Sequence, residues 1–390
     1  MMDCEGMPIQ YVDDENVFIS LCESWGSQKL LAIDTEFMRT NTFYARIGLL
    51  QVADDKKCYL IDPLKISDWT CFKLLLSESA CEFIIHSCSE DLNLLQTFLG
   101  VIPGKIFDTQ IAAAFLGLGF SISYQGLARE LLNIAVEKGE TRSDWLKRPL
   151  SDSQIFYAAA DVRYLIQIRE LLAAQLELQS MTAWFEAECV QLLENSHAAE
   201  NNANWKEIYS AISNAWRLSD SGLLVLQKLC YWREQTARSR NKPKSWIVKD
   251  VDIFTMAKSL AEVSGFTSDD VRAIDEVDSR FLSRYSREIA SVLNQGSADL
   301  PPIDRNILNP PLDASGRKRL KLLQKIVQER ADELNMAPEL LGRKKQLLEL
   351  LRDYGRTKEF SWQSASLAWR KPLLEDRFKE IMSPGDGSRG

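Results

Sequence analysis

"KLLAIDTEFMRT", residues 29–40, is an apolar stretch that ends in two acids, Asp34 and Glu36. Its short apolar core predicts a buried β-strand. Successive side chains of a strand point to opposite faces, so the two acids share one face and Thr35 takes the other. Carboxylates this close repel each other, and a divalent cation such as Mg²⁺ or Mn²⁺ would relieve the repulsion at a strand end where α/β sheets bind ligands. Two solvated acids at a strand end are the simpler interpretation of this stretch taken alone.

The residues around this strand alternate between strand-like and helix-like patterns from 29 to 170. Three more apolar stretches predict strands, namely ARIGLLQVAD, KKCYLIDP and EFIIHS. Three predict helices, namely SEDLNLLQTFLG with Gly100 as its C-cap, DTQIAAAFLG and SYQGLARELLN. This alternation predicts a mixed α/β domain. Beyond residue 170 the pattern is helical, interrupted by the Pro- and Gly-rich QGSADLPPIDRNILNPPLDASG.

Composition restricts the classes of protein and of site. The chain has 390 residues, 45% hydrophobic and 26% charged, and no apolar run approaches the roughly 18 residues that span a bilayer. The N-terminus MMDCEGMPIQ has neither the basic nor the apolar region of a secretory signal, which predicts a cytoplasmic protein. Eight cysteines without a Cys-x-x-Cys pair predict reduced, mostly buried thiols. With only two histidines, a hydrolytic metal would have to be held by carboxylates.

Charge is unevenly distributed along the chain. The formal net charge is −8, which argues weakly against a general nucleic-acid binder. Residues from 311 onward carry 17 Lys and Arg against 12 Asp and Glu, a net charge of +5, which leaves −13 for the rest. The acidic front and the basic end are therefore expected to differ in their partners.

Two further stretches add acids to the first pair. IIHSCSEDLNLL places Asp91 at the start of a helix that follows a strand. RPLSDSQIFYAAADVRYL opens with Ser151 and Gln154, a potential capping box, and then places Tyr157 and Asp161 one turn apart on a single helix face. An acid flanked by Ala and Val is costly to bury without a partner. A salt bridge to Arg163 or Arg142 is the alternative to a metal at that position.

These three stretches carry a family resemblance. DTEF, HSCSEDL and YAAADVRYL resemble, in order and spacing, the three exonuclease motifs of the DEDD superfamily, and the Tyr four residues before the last Asp marks the DEDDy branch. The segments ARIGLLQVA, IFDTQIAAAFLG and TRSDWLKRPLS extend the resemblance to the bacterial ribonuclease D family over about residues 8–175. LLVLQKLCYWREQTARSRNKPKSWIVKD is similar to the HRDC module of that family, and residues 310–375 resemble a second, diverged copy.

The resemblance implies a ribonuclease H-like exonuclease domain, α/β with a mixed sheet flanked by helices, followed by two all-α helical-bundle HRDC domains. The boundaries that we predict are 1–175 for the DEDDy 3′–5′ exonuclease domain, 176–208 for a helical connector, 209–295 for the first HRDC domain, 296–315 for a linker, 316–378 for the second HRDC-like domain and 379–390 for a flexible tail.

The resemblance also implies catalytic roles. Asp34, Glu36 and Asp161 would hold the catalytic metal, Asp34 would bridge to a second metal, and Asp91 would act mainly on that second metal. Tyr157 would orient the attacking water by hydrogen bonding. Two divalent cations, Mg²⁺ or Mn²⁺, would clamp the attacking and leaving oxygens of an in-line displacement at phosphorus.

Substrate contacts are predicted at three more residues. Phe37 and Met38 follow the acids directly and could wedge against the terminal base. His86 ends the strand before Asp91 and could contact the scissile region. The alternatives are core packing for the aromatic residue and, for the histidine, a role in fixing the strand-to-helix turn.

The function implied by the resemblance is a metal-dependent 3′→5′ exoribonuclease that trims structured RNA precursors such as tRNA and releases 5′-nucleoside monophosphates. Its partner would be RNA with a free 3′ end, and we expect a monomer with neither a membrane nor an obligate protein partner. The same chemistry on DNA is one alternative, disfavoured because the chain has no polymerase-like or helicase-like segment. A non-catalytic RNA-binding scaffold is another, disfavoured because all four acids and the Tyr are present.

Overall fold

A computed structural model describes residues 2–4, 6–137, 139–140, 142–296, 299–362 and 368–382. The chain forms two compact units. One comprises Met1–Met38, Arg46–His197 and Leu312–Gly390, and the other comprises Arg39–Ala45 and Ala198–Pro311. No described helix combines the length and apolar character that crossing a membrane requires. None of the seven cysteines whose side chains the structure describes forms a disulfide, and all but Cys71 are buried.

A seven-stranded mixed sheet lies in the first unit. Its strands, in chain order, are β1 Met2–Cys4, β2 Met7–Val12, β3 Leu30–Met38, β4 Arg46–Ala53, β5 Cys58–Ile61, β6 Glu82–Ile85 and β7 Ile106–Asp108. They are arranged β1-β2-β5-β4-β3-β6-β7. Strand β4 is antiparallel to β3 and β5, whereas β6 is parallel to β3 and β7. The sheet confirms the predicted α/β class and the four predicted strands. The apolar pattern does not predict the other three strands, because they are short or half-exposed.

Eight helices are described between residues 15 and 199. They are α1 Glu15–Trp25, α2 Thr70–Glu78, α3 Ser89–Leu99, α4 Thr109–Phe115, α5 Tyr124–Leu132, α6 Asp152–Arg163, α7 Leu165–Leu178 and α8 Thr182–Ala199. Two predicted end signals are confirmed. Gly100 ends α3 with a left-handed φ of 77°, and Ser151 and Gln154 form a reciprocal capping box at the start of α6.

The second unit is helical. Its α-helices are α9 Asn202–Trp205, α10 Asp220–Ser239, α11 Lys244–Ile247, α12 Asp250–Ser259, α13 Ser268–Arg272 and α14 Ser279–Asn294, and a 3₁₀ turn spans Arg305–Ile307. The apolar face of α10 and the buried side of α14 supply much of its core. The connection 39–45 belongs to this unit, where the guanidinium of Arg238 lies between the rings of Phe43 and Trp205, 4.5 and 3.9 Å from their centroids.

The last helices belong to the first unit. They are α15 Ala314–Leu334, α16 Pro338–Leu341, α17 Lys344–Thr357 and α18 Lys371–Met382. Trp369 stacks on Trp184 of α8 with ring centroids 5.2 Å apart, and Arg370 forms a 2.9 Å ion pair with Glu188 of the same helix. The segment 379–382, predicted to begin a flexible tail, instead continues α18 because Met382 is buried. The rest of the predicted tail, 383–390, lies outside the described residues.

Candidate active site

Three acids converge at the carboxyl end of β3. Asp34 and Glu36 point to the face of the sheet that α6 covers, and Asp161 projects from α6 toward them. One carboxylate oxygen from each of the three lies within 4.8 Å of the other two. The strand pairing shifts register between Glu36 and Phe37, where β4 has one extra residue, Gly48, so a bulge lies opposite the position that follows the second acid. Bulges of this kind re-aim side chains beside functional sites.

Helix α6 is held in place by the segment that precedes it. Arg148 forms a 2.7 Å ion pair with Asp62 at the end of β5 and donates a 2.6 Å hydrogen bond to the carbonyl of Gly48 in β4. Trp145, fully buried, lies so close to Gly48 that a Cβ there would be 2.6 Å from the Trp145 carbonyl oxygen. Because Gly48 has no Cβ, the segment around Trp145 can approach β4 closely, and this approach sets where α6 begins.

A fourth acid reaches the site from the other face of the sheet. Asp91, in the first turn of α3, is buried and accepts a short hydrogen bond from the Thr35 hydroxyl. The turn before α3 is fixed by Asp108, whose carboxylate accepts hydrogen bonds from the backbone N–H groups of Ser87 and Cys88 at 3.2 and 2.9 Å. Ser87 has a left-handed φ of 61°, which this pairing holds. Thr35 of β3, the turn at Ser87 and helix α3 therefore jointly fix the position of Asp91.

Burial disfavours the charged forms of all four acids, and repulsion by the other acids adds to this effect for Asp34 and Glu36. Burial, followed by the charges of Asp91, Asp161 and Glu36, raises the pKa of Asp34 well above its ordinary value. Burial and the charges of Asp161 and Asp91 raise the pKa of Glu36 to about 9. Burial likewise raises the pKa of Asp91 and the pKa of Asp161, each to about 7. Buried acids with raised pKa values need a nearby positive charge in order to ionise, and a divalent cation supplies that charge.

The donor set fits a hard divalent cation. Carboxylate oxygens are the ligands that Mg²⁺ and Mn²⁺ prefer, and the group offers no thiolate and no imidazole. Tyr157 lies one turn from Asp161, and hydrogen bonding between them lowers the pKa of the acid against the effect of burial. Burial and the nearby acids raise the pKa of the Tyr157 hydroxyl, so the phenol stays neutral. Its ring packs against Trp145 with centroids 6.2 Å apart.

A cavity of about 340 Å³ opens beside these acids. Asp34 and Asp161 lie on one side of it, and it is also lined by His86, Gln110, Ser121, Ser123, Tyr124, Gln125 and Leu165. Both ring nitrogens of His86 have protein partners, the Thr109 hydroxyl at 2.9 Å and the Ile122 carbonyl at 3.1 Å. Burial lowers the pKa of His86. The histidine therefore ties the loop before α5 to α4, and its role as a substrate contact stays a prediction.

The structure brings five of the eight predicted residues together and places the other three around them. Phe37 and Met38 follow the bulge and are half-buried, so their roles in substrate contact also stay predictions. Sequence reasoning missed Thr35 and Asp108, which position Asp91. An acid directly before a helical pattern, as in FDTQ, is an N-cap signal that points to Asp108, whose carboxylate accepts from the first backbone N–H groups of α4.

Comparison with known proteins extends these observations. The chain is 36% identical over 367 residues to a ribonuclease D of Pseudomonas paraeruginosa, a match that covers 94% of this chain and 95% of the relative. The chain belongs to the ribonuclease D family. It is also 30% identical to Escherichia coli ribonuclease D over 386 residues, covering 96% of this chain and 99% of that one. Family models for a 3′-5′ exonuclease and an HRDC domain match residues 9–177 and 223–293.

The solved structure of Escherichia coli ribonuclease D, described as an exoribonuclease involved in structured RNA processing, superposes with a TM-score of 0.83 at 27% identity, covering 96% of this chain and 99% of that one. The chain described here is therefore a 3′–5′ exoribonuclease, a hydrolase of phosphodiester bonds, with an α/β exonuclease core followed by a helical HRDC region. The resemblance inferred from the three motifs is confirmed. Membership of this exonuclease family also implies dependence on a divalent metal.

Proposed function

We propose that this exoribonuclease removes nucleotides one at a time from the 3′ ends of structured RNA precursors such as tRNA, releasing 5′-nucleoside monophosphates. The observation that carries the proposal is the group formed by Asp34, Glu36 and Asp161, whose carboxylate oxygens lie within 4.8 Å of one another beside an open cavity. The RNA class is taken from the Escherichia coli relative, which is described as acting in structured RNA processing.

The acids would hold two divalent cations, Mg²⁺ or Mn²⁺. Asp34, Glu36 and Asp161 would share one, and Asp34 and Asp91 would hold the second. When bound, the cations supply the positive charge that stabilises the attacking and leaving oxygens of an in-line displacement at phosphorus. The fit rests on hard oxygen donors that are buried together and whose pKa values are raised by that burial.

The remaining residues would act on water and on RNA. Tyr157, neutral and hydrogen-bonded to Asp161, can orient a water molecule without taking up its proton. Phe37 and Met38, half-buried after the bulge, would contact the terminal nucleotide. His86 would hold the loop that lines the cavity, and through the loop the backbone of the 3′ end.

The helical modules would grip the body of the RNA. Helix α15 exposes a row of cations on the side opposite its buried leucines, namely Lys318, Lys321 and Lys325, and this row suits phosphate contact. In the second unit Trp246 is 59% exposed, and Lys242 lies 5.9 Å from its ring centroid. The predicted domain boundaries, a monomeric state and a cytoplasmic location belong to this proposal.

The test is a time course on a 5′-labelled tRNA with a short 3′ extension, in Mg²⁺ and in EDTA. Wild-type protein should produce a ladder that shortens by one nucleotide at a time, and EDTA should abolish it. Asp34→Asn should lower the rate by about 10³-fold, because it removes a ligand contributing several kcal/mol of charge stabilisation. Glu90→Gln, an exposed acid beside Asp91, is the matched control and should keep the wild-type rate.

Two outcomes would contradict the proposal. If the RNA stays intact while a single-stranded DNA of matched length is degraded, the substrate is DNA and not RNA. RNA that is bound but never shortened, with equal behaviour of wild type and Asp34→Asn, would leave the acids without a catalytic role and favour an RNA-binding scaffold.

A further inference from the structure

Gln51 lies in the middle of β4 and is the cross-strand partner of Asp34. The two strands are antiparallel, and their register pairs Asp34 with Gln51 and Glu36 with Leu49. Side chains of directly paired residues point to the same face of a sheet, with Cβ atoms about 4.5–5.5 Å apart. Gln51 therefore projects to the face that carries the acids. Its amide, three bonds beyond Cβ, has the length to reach the Asp34 carboxylate.

The Gln51 side chain is completely buried, and its polar atoms are unsatisfied. Among the described residues, neither its Oε1 nor its Nε2 has a hydrogen-bond partner. Its neighbours along β4 on this face are Leu49 and Ala53, and its partner on the other side is Leu60 of β5. Buried amides are almost always paired, because an unpaired donor or acceptor keeps its full desolvation penalty. An apolar residue would be more stable in this apolar environment unless the Gln51 amide forms a hydrogen bond at the active site.

We propose that Gln51 is a positioning residue for Asp34: its Nε2 group donates a hydrogen bond to the Asp34 carboxylate when that carboxylate holds a divalent cation. The inference rests on the proposed metal site. A carboxylate that binds a metal uses part of its lone-pair capacity on the ion, and a second hydrogen-bonding partner fixes its orientation. A neutral amide donates without adding positive charge, so it does not compete with the cation as a lysine at this position would.

If Gln51 has this role, its substitution should weaken cation binding without lowering the stability of the cation-free protein. Gln51→Leu removes two buried unsatisfied polar atoms, so the cation-free protein should unfold at the same temperature as wild type or higher. The same change removes a hydrogen bond that forms only with bound cation, so Mn²⁺ affinity should fall about 10–100-fold. A residue that only fills space would not produce this opposition.

The experiment is calorimetric titration of the full chain with Mn²⁺, paired with thermal unfolding in EDTA. The variants are Gln51→Leu and Gln51→Met, with Leu60→Met as a control for repacking on the same face. Met keeps the length of the side chain without the donor, so it gives the same reading if the Leu variant folds poorly. Weaker Mn²⁺ binding in the Gln51 variants and wild-type binding in the Leu60 variant would support the role.

Two results would contradict the proposal, and they differ in whether the metal site itself is also overturned. Wild-type protein that takes up no Mn²⁺ would overturn the proposed metal site, and the role of Gln51 with it. Wild-type protein that binds Mn²⁺ while both Gln51 variants bind it equally well would leave the metal site intact and overturn the role of Gln51 alone.

Discussion

Substitution of Gly48 by alanine should move the helix that carries two of the site residues. The new Cβ would lie 2.6 Å from the Trp145 carbonyl oxygen and 2.7 Å from the Trp145 Cβ. Both are atoms that a side-chain rotation cannot remove, so the segment must retreat by about 0.8 Å to reach ordinary contact near 3.4 Å. Strain of this kind in a packed interior costs about 1–3 kcal/mol.

The substitution should lower the rate of catalysis as well as the stability of the fold. The displaced segment leads into α6, so Tyr157 and Asp161 move with it, and a misplacement near 1 Å can cost up to about 10²-fold in rate. Scanning calorimetry should show a thermal midpoint several degrees lower, and steady-state kinetics on the labelled RNA should show the loss in kcat. Gly104→Ala, whose Cβ would meet its nearest atom at 3.6 Å, is the matched control. Wild-type midpoint and kcat in Gly48→Ala would refute the reasoning.

Three further predictions concern a hydrogen bond, an ion pair and the pKa of a buried acid. Thr35→Val removes the hydrogen bond to Asp91, so the Mg²⁺ concentration for half-maximal activity should rise about tenfold, measured by metal titration of the rate. Arg370→Ala leaves Glu188 without its ion-pair partner and should lower the free energy of unfolding by about 3–5 kcal/mol in urea; an unchanged urea midpoint would contradict it. Burial raises the pKa of Asp161 to about 7, so protons compete with the cation below that pH, and calorimetric Mn²⁺ affinity should rise from pH 6 to pH 8.

The site was predictable where its spacing is local. Alternation along one strand placed Asp34 and Glu36 on one face, and the turn of one helix aligned Tyr157 with Asp161. These relations depend only on the geometry of a single element. The pattern of strand and helix placed Asp91 at the start of a helix, but only the family resemblance assigned it to the same site, because no local rule specifies its distance from the other acids.

The rest of the site depends on register and on distant contacts. Pairing of Gln51 with Asp34 requires the alignment of two strands across a connection and a bulge, and one residue of slippage would point the amide to the other face. The hydrogen bond between Thr35 and Asp91 joins residues 56 apart. Sequence patterns contain neither relation, because both arise only when the sheet assembles.

The return of the last helices to the first unit affects how the protein is made. Trp184 and Glu188 are translated long before Trp369 and Arg370, which cover them. Chain elongation at about 5–20 residues per second separates the two by roughly 10–40 seconds. During that interval the nascent nuclease core exposes an aromatic surface that has no cover yet. A chain truncated before residue 312 would lack the covering helices and would leave the surface around Trp184 and Glu188 exposed permanently.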